Sequence, residues 1–143
     1  MKRILVGVDG SKESRQAAAF AADLAKATGA GLVVADAVFA PTDSLGVPDV
    51  AAHAWEWQEH ERTRALSTTA EIASALAAKG VKVETALPVG APAQALAELA
   101  LDAEVDLVVV GHRGRGGALA RFLLGSVADR LVQISPKPVL VVR

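Results

Sequence analysis

Residues 106–130 read DLVVVGHRGRGGALARFLLGSVADR. Asp106 to Val110 opens the stretch as an apolar run without polar alternation, the pattern of a strand buried on both faces. From Ser126 to Ile134 the spacing is helical. Between them, residues 111–126 hold five of the chain's twelve glycines and three of its fifteen Lys and Arg residues. Glycine at that density weakens any regular element, because it loses the most backbone entropy on folding. A loop of this kind serves close approach of the backbone to something else.

Outward from this stretch, strand and helix patterns alternate. Ile4 to Val8 is a mainly β-branched run that ends in Asp9-Gly10-Ser11, residues of turns and helix N-caps. Ser11 to Thr28 is helical, with Ala18, Ala21, Ala22, Leu24 and Ala25 on one face and Gly29 as the stop. Leu32 to Val38 is the next strand, and residues 39–50, with two prolines and Gly46, read as a surface loop. Ala51 to Lys79 is one long or broken helix closed by Gly80. Val81 to Leu87 alternates in its first half, which marks a strand at a sheet edge. Pro92 to Asp102 is a helix with proline in its first turn, and Pro138 to Val142 is the last strand.

The order is βαβαβαβαβ. Strands separated by helices form a parallel sheet with right-handed crossovers. With the edge-like third strand outside the second, the strand order is 3-2-1-4-5. The expectation is therefore an α/β, doubly wound, five-stranded parallel sheet with helices on both faces (Rossmann-like), as one domain over residues 1–143.

Composition narrows the class. A chain of 143 residues can bury roughly two-thirds of its unfolded surface. The 52% hydrophobic content includes only three Phe and two Trp, so Ala and Val must pack helices closely on the sheet. Net charge is −1, which steers the chain toward neither nucleic acid nor an anionic membrane. Without cysteine there is no disulfide, thiol catalysis or thiolate metal site. No apolar run reaches the length of a signal peptide core or a membrane span, so a cytoplasmic protein is expected.

Open α/β sheets bind ligands where the strand order reverses, at the carboxyl ends of the strands. Here that point lies between strands 1 and 4, where Asp9-Gly10-Ser11 and Gly111 onward converge. The helix that opens at Gly125-Ser126 favours an anion by ~0.3–1 kcal/mol through its partial charge, besides direct N–H bonds. Arg113 and Arg115 add charge, and glycines at 111, 114 and 125 leave room for phosphate oxygens. A nucleotide phosphate chain suits such a crevice. The competing reading has Ser126 as a helix cap with Asp129 in a capping-box-like arrangement, and Gly116-Gly117 as a plain bend.

No G-x4-GK-[ST] sequence is present, which excludes a P-loop NTPase, and no G-x-G-x-x-G follows the first strand, which argues against an NAD-type site. His53, Glu56 and His60 share a helix face but lack a third separate ligand element, so no metal site is expected. Trp55 and Trp57 point to different sides of that helix, so at most one is core. His112 lacks a nearby group to orient it and is a contact residue at most. Arg121 reads as solvated.

The segments Val6–Ser11, VGVDGS, and Gly125–Arg143, GSVADRLVQISPKPVLVVR, together with the glycine pattern, resemble the nucleotide-binding universal stress proteins over the whole chain. ATP-binding members carry G-x2-G-x9-G-[ST]; Gly111, Gly114, Gly125 and Ser126 match its fixed positions, with ten residues instead of nine before Gly125. The resemblance implies that Asp9, with Val8 beside it, hydrogen-bonds the ribose or base, and that Ala37 flanks the adenine. Gly111, Arg113 and Gly114 would lie along the sugar and phosphates, and Gly125, Ser126 and Val127 would hold the phosphate tail. It further implies ATP, with or without Mg2+, as cofactor, a homodimer through the C-terminal strand, and a stress-response module that signals through a regulatory protein. The alternatives are a slow ATPase or phosphotransferase and a nucleotide-free dimeric interaction protein.

Overall fold

The computed structural model describes residues 1–39, 48–115 and 123–143. The chain runs β1 (Arg3–Gly7), α1 (Lys12–Thr28), β2 (Gly31–Ala35), α2 (Pro48–Ala77), β3 (Val83–Ala86), α3 (Pro92–Asp102), β4 (Leu107–Gly111), α4 (Ser126–Ile134) and β5 (Val139–Val142). All five strands are parallel in the order β3-β2-β1-β4-β5. The architecture expected from the sequence is the one observed.

Period-2 alternation of the central strands feeds two cores. Ile4, Val6, Leu32, Val34 and Val109 point to one face, where the alanines of α1 and Ile72 and Leu76 of α2 cover them. Leu5, Val33, Ala35, Val108 and Val110 point to the other, under α3 and α4. Alanine at positions 17, 18, 21, 22 and 25 lets α1 sit close on the sheet, which is why so few aromatics suffice. Phe20 is left half-exposed on its outer side, and Trp55 and Trp57 are both exposed, so neither tryptophan is core.

Boundaries shift where a strand pattern outlasts its ladder. The second strand ends at Ala35, not Val38; beyond it only a bridge of Val38 to Val89 continues toward β3. β3 is shorter than Val81–Leu87, and its Glu84 and Thr85 are exposed, in keeping with an edge. α2 is unbroken and begins at Pro48, inside the span read as loop, because proline is tolerated in a first helical turn. Among the described residues no helix is long and apolar enough to cross a membrane.

α1 starts and stops by local chemistry. Ser11 is its N-cap, and its hydroxyl accepts the Ser14 N–H at 3.2 Å. Gly29 takes the left-handed conformation at φ 72° and donates its N–H to the Ala25 carbonyl. Ser11→Ala removes the cap while keeping the backbone, and should cost about 1 kcal/mol in urea unfolding with an unchanged m-value. An unchanged midpoint would contradict the cap's role.

Candidate functional site

Parallel strands put all their carboxyl ends on one rim, and the order reverses there between β1 and β4. A cavity of about 540 Å³ opens at this switch point. Val8, Asp9, Ala37, Gly111, Arg113, Gly114, Gly125, Ser126 and Val127, all singled out in the sequence, line it together. Pro92 and Leu96 of α3 add apolar wall.

Asp9 is the hinge pin of this cavity. Its Oδ1 accepts the Ser11 N–H at 2.9 Å and its Oδ2 accepts the Arg115 N–H at 2.8 Å. Burial alone would raise its carboxyl; bonds from the Ser11 hydroxyl and N–H, the Arg115 N–H and the Ser14 hydroxyl hold it below the usual carboxylate range instead. One side chain thus ties the β1–α1 turn to the loop leaving β4.

The glycines have a different use from the one their spacing suggests. A Cβ on Gly114 would lie 2.5 Å from Asp9 Oδ2, and one on Gly125 would lie 3.1 Å from Arg113 Cα. The Cβ-less sides of both residues therefore face protein. They let the loop close on Asp9 and let the start of α4 close on the loop, where the Gly125 N–H bonds the His112 carbonyl at 2.6 Å.

The capping reading of Ser126 is corrected. Gly125 is the N-cap of α4, with extended backbone, and no side chain caps the helix. Ser126 is the first helical residue, and Asp129 accepts from Gln133 rather than joining a capping box. The α4 terminus therefore meets the cavity through Gly125, Ser126 and Val127 without an acidic cap of its own. Such an end attracts anions.

Sequence reasoning missed Asp36, which also lines the cavity and is 3% exposed. Its carboxylate is held in two bonds by Arg64 of α2, at 2.9 and 3.3 Å. Glu61 pairs with Arg64 at 3.2 Å and reaches Arg115 at 3.6 Å, so α2 also grips the β4 loop. Burial pushes the Asp36 carboxyl above the usual range, against the opposing pull of Arg64. Burial works against the Arg64 charge too, but Asp36 and Glu61 outweigh it and move its pKa up. Both pKa values thus move up, Asp36 because burial outweighs its ion pair and Arg64 because its ion pairs outweigh burial, in keeping with side-chain exposures of 4% and 23%. The available signal was a lone carboxylate ending the apolar run Leu32–Ala35.

His112, read from the sequence as a contact residue at most, is buried and does not line the cavity. His53, Glu56 and His60 are exposed along α2, and among the described residues no group of three or more His, Asp or Glu is gathered for a metal. Arg121, Gly116-Gly117 and the extra loop residue lie outside the described residues.

The sequence profile described as the universal stress protein family matches residues 1–143. The chain belongs to that family. A universal stress protein of Thermus aquaticus, from the QAH/OAS sulfhydrylase 3′ region, is 38% identical over 144 residues, covering 99% of this chain and 98% of that protein. Universal stress protein UspA from Lactobacillus plantarum superposes with a TM-score of 0.87 at 24% identity, covering 99% of this chain and 97% of that one. A universal stress protein solved in complex with cAMP superposes at 0.63 with 31% identity, covering 99% and 97%.

In this family member the Asp36–Arg64 pair is open to a direct check. Arg64→Met leaves Asp36 buried without its cation and should cost about 2–4 kcal/mol at neutral pH. A carboxyl whose folded-state pKa is raised stabilises the fold below its unfolded pKa and loses that contribution as pH rises through the folded value. The deficit should therefore shrink as pH is lowered from neutral into the carboxylate range. Urea unfolding of both proteins across that range measures it; a deficit independent of pH contradicts the assignment.

Proposed function

We propose that residues 1–143 form one regulatory domain that binds an adenine nucleotide, ATP, in the crevice between β1 and β4. In this reading it acts in the cytoplasm during stress and reports its occupancy to a regulatory protein partner. The observation that carries the reading is the α4 N-terminus, which lacks a side-chain cap and opens on the same cavity as Arg113. Helix N–H groups, a guanidinium and the Ser126 hydroxyl are donors suited to phosphate. Val8, Ala37 and Leu96 offer apolar surface suited to a base. The cAMP complex of the 31%-identical relative supports an adenine ligand.

Role by role, Val8 and Ala37 flank the adenine. Asp9 hydrogen-bonds the ribose or base from its place on the cavity wall. Gly111, Arg113 and Gly114 follow the sugar and phosphates, and Gly125, Ser126 and Val127 take the phosphate tail. Asp9 and Asp36, the carboxylates lining the cavity, are both engaged by protein donors, so Mg2+ arriving with ATP would draw its ligands from phosphate and water. Those same engagements favour binding over hydrolysis, because neither carboxylate is free to act as a base.

The domain pairs with a second copy through β5. Pro138 and Val142 accept from the N–H groups of Val108 in β4 and of His112 just beyond it. By alternation, the backbone groups of Val139 and Val141 face away from the sheet. An apolar edge strand with free backbone groups invites another strand.

Two outcomes are expected. Ser126→Asp places a carboxylate at the first turn of α4, which the helix itself tolerates. It should weaken ATP by about 2–4 kcal/mol through like-charge repulsion while sparing adenosine, as read by calorimetric titration. Equal ATP affinity in variant and parent would remove phosphate from this helix end. Val141→Pro deletes an outward N–H without touching the β4 ladder. It should shift sedimentation from dimer to monomer with the far-UV spectrum retained; a parent already monomeric at micromolar concentration would contradict the assembly.

A further inference from the structure

His112 joins three parts of the molecule. Its backbone N–H donates to the Val142 carbonyl at 2.8 Å, and its ring Nδ1 lies 3.3 Å from the same oxygen. Its carbonyl accepts the Gly125 N–H at the start of α4. Its Nε2 lies 2.9 Å from Arg113 Nε. A guanidinium nitrogen can only donate, so Nε2 accepts and the ring proton sits on Nδ1, directed at Val142. The ring is thus held at both nitrogens between the last residue of β5 and an arginine that lines the cavity.

We propose that His112 is the positioning residue for Arg113, and that through it the site selects ligands by their phosphate content. This rests on the nucleotide reading above insofar as an anion occupies the cavity. Arginine carries large rotamer freedom, most of which an isolated side chain loses on binding. His112 takes up Nε alone. The two Nη groups make no hydrogen bond among the described residues, which leaves the outer edge of the fork for a phosphate. The Val142 carbonyl, fixed by the β4–β5 ladder, keeps the imidazole from turning. The fork is then aimed before the ligand arrives, and the ordering cost falls on folding rather than on binding.

Two substitutions separate the ring's two ends. In His112→Asn the amide can still donate to Val142, as Nδ1 does, but does not reach Arg113. In His112→Gln the amide oxygen can stand where Nε2 stands. Parent and variants are titrated with ATP, adenosine and inorganic tripolyphosphate by calorimetry. His112→Asn should lose about tenfold or more in affinity for ATP and tripolyphosphate, the scale of one bond to a charged group, with adenosine unchanged. His112→Gln should recover most of that loss. Undiminished ATP and tripolyphosphate binding by His112→Asn overturns the proposal. So does a loss of adenosine equal to that of ATP, which would mean general damage to the loop. A parent that binds tripolyphosphate but no adenosine overturns the nucleotide reading and leaves the role of His112 to be decided on the anion. A parent that binds none of the three overturns both.

Discussion

The two oxygens of Asp9 carry the constraint on which the site depends. β1 and β4 are neighbours in the sheet, but the segments leaving them belong to distant parts of the chain. One oxygen holds the Ser11 N–H at the start of α1 and the other holds the Arg115 N–H in the glycine loop, 106 residues away. A Cβ at 114 would lie 2.5 Å from Oδ2 and force that carboxylate to shift from its place on the Arg115 N–H. The depressed pKa of Asp9 expresses the same fact: the hydrogen bonds to the ionised form outweigh the cost of its burial.

A second set of contacts grips the same loop from the other side. Asp36, Arg64, Glu61 and Arg115 link the end of β2, one face of α2 and the β4 loop. The loop is therefore fixed by Asp9 at its backbone and by Glu61 at the Arg115 side chain. The α4 terminus has no side-chain cap, and Arg113 keeps its Nη groups free of the described residues. Donors that are fixed in place and make no bond among the described residues are what a preorganised anion site would present, as proposed above.

Much of this was legible in the sequence because it is local. Alternation, short β-branched runs and glycine stops marked nine elements, and the exposed Glu84 and Thr85 show why β3 read as an edge. The switch-point rule then brought two turn clusters to one cavity. Features set by distant partners stayed hidden. Asp36 finds Arg64 across 28 residues, and no local pattern signals that pair. The place of His112 depends on Val142, 30 residues on, and on a ladder that exists only in the folded sheet. Gly125 and Ser126 are both good N-cap residues, so their order at the start of α4 had to come from the backbone. The glycines were found for a sound reason, close approach, but Gly111, Gly114 and Gly125 all approach protein, at Glu13, Asp9 and Arg113.

A crystal structure of the chain with ATP tests the central claim most directly. The account predicts the phosphates against the N–H groups of Ser126 and Val127 and the Arg113 fork, the adenine between Val8 and Ala37, and the Asp9–Arg115 bond intact. Phosphates located away from the start of α4, or a ligand that enters only after Asp9 has released Arg115, would contradict it.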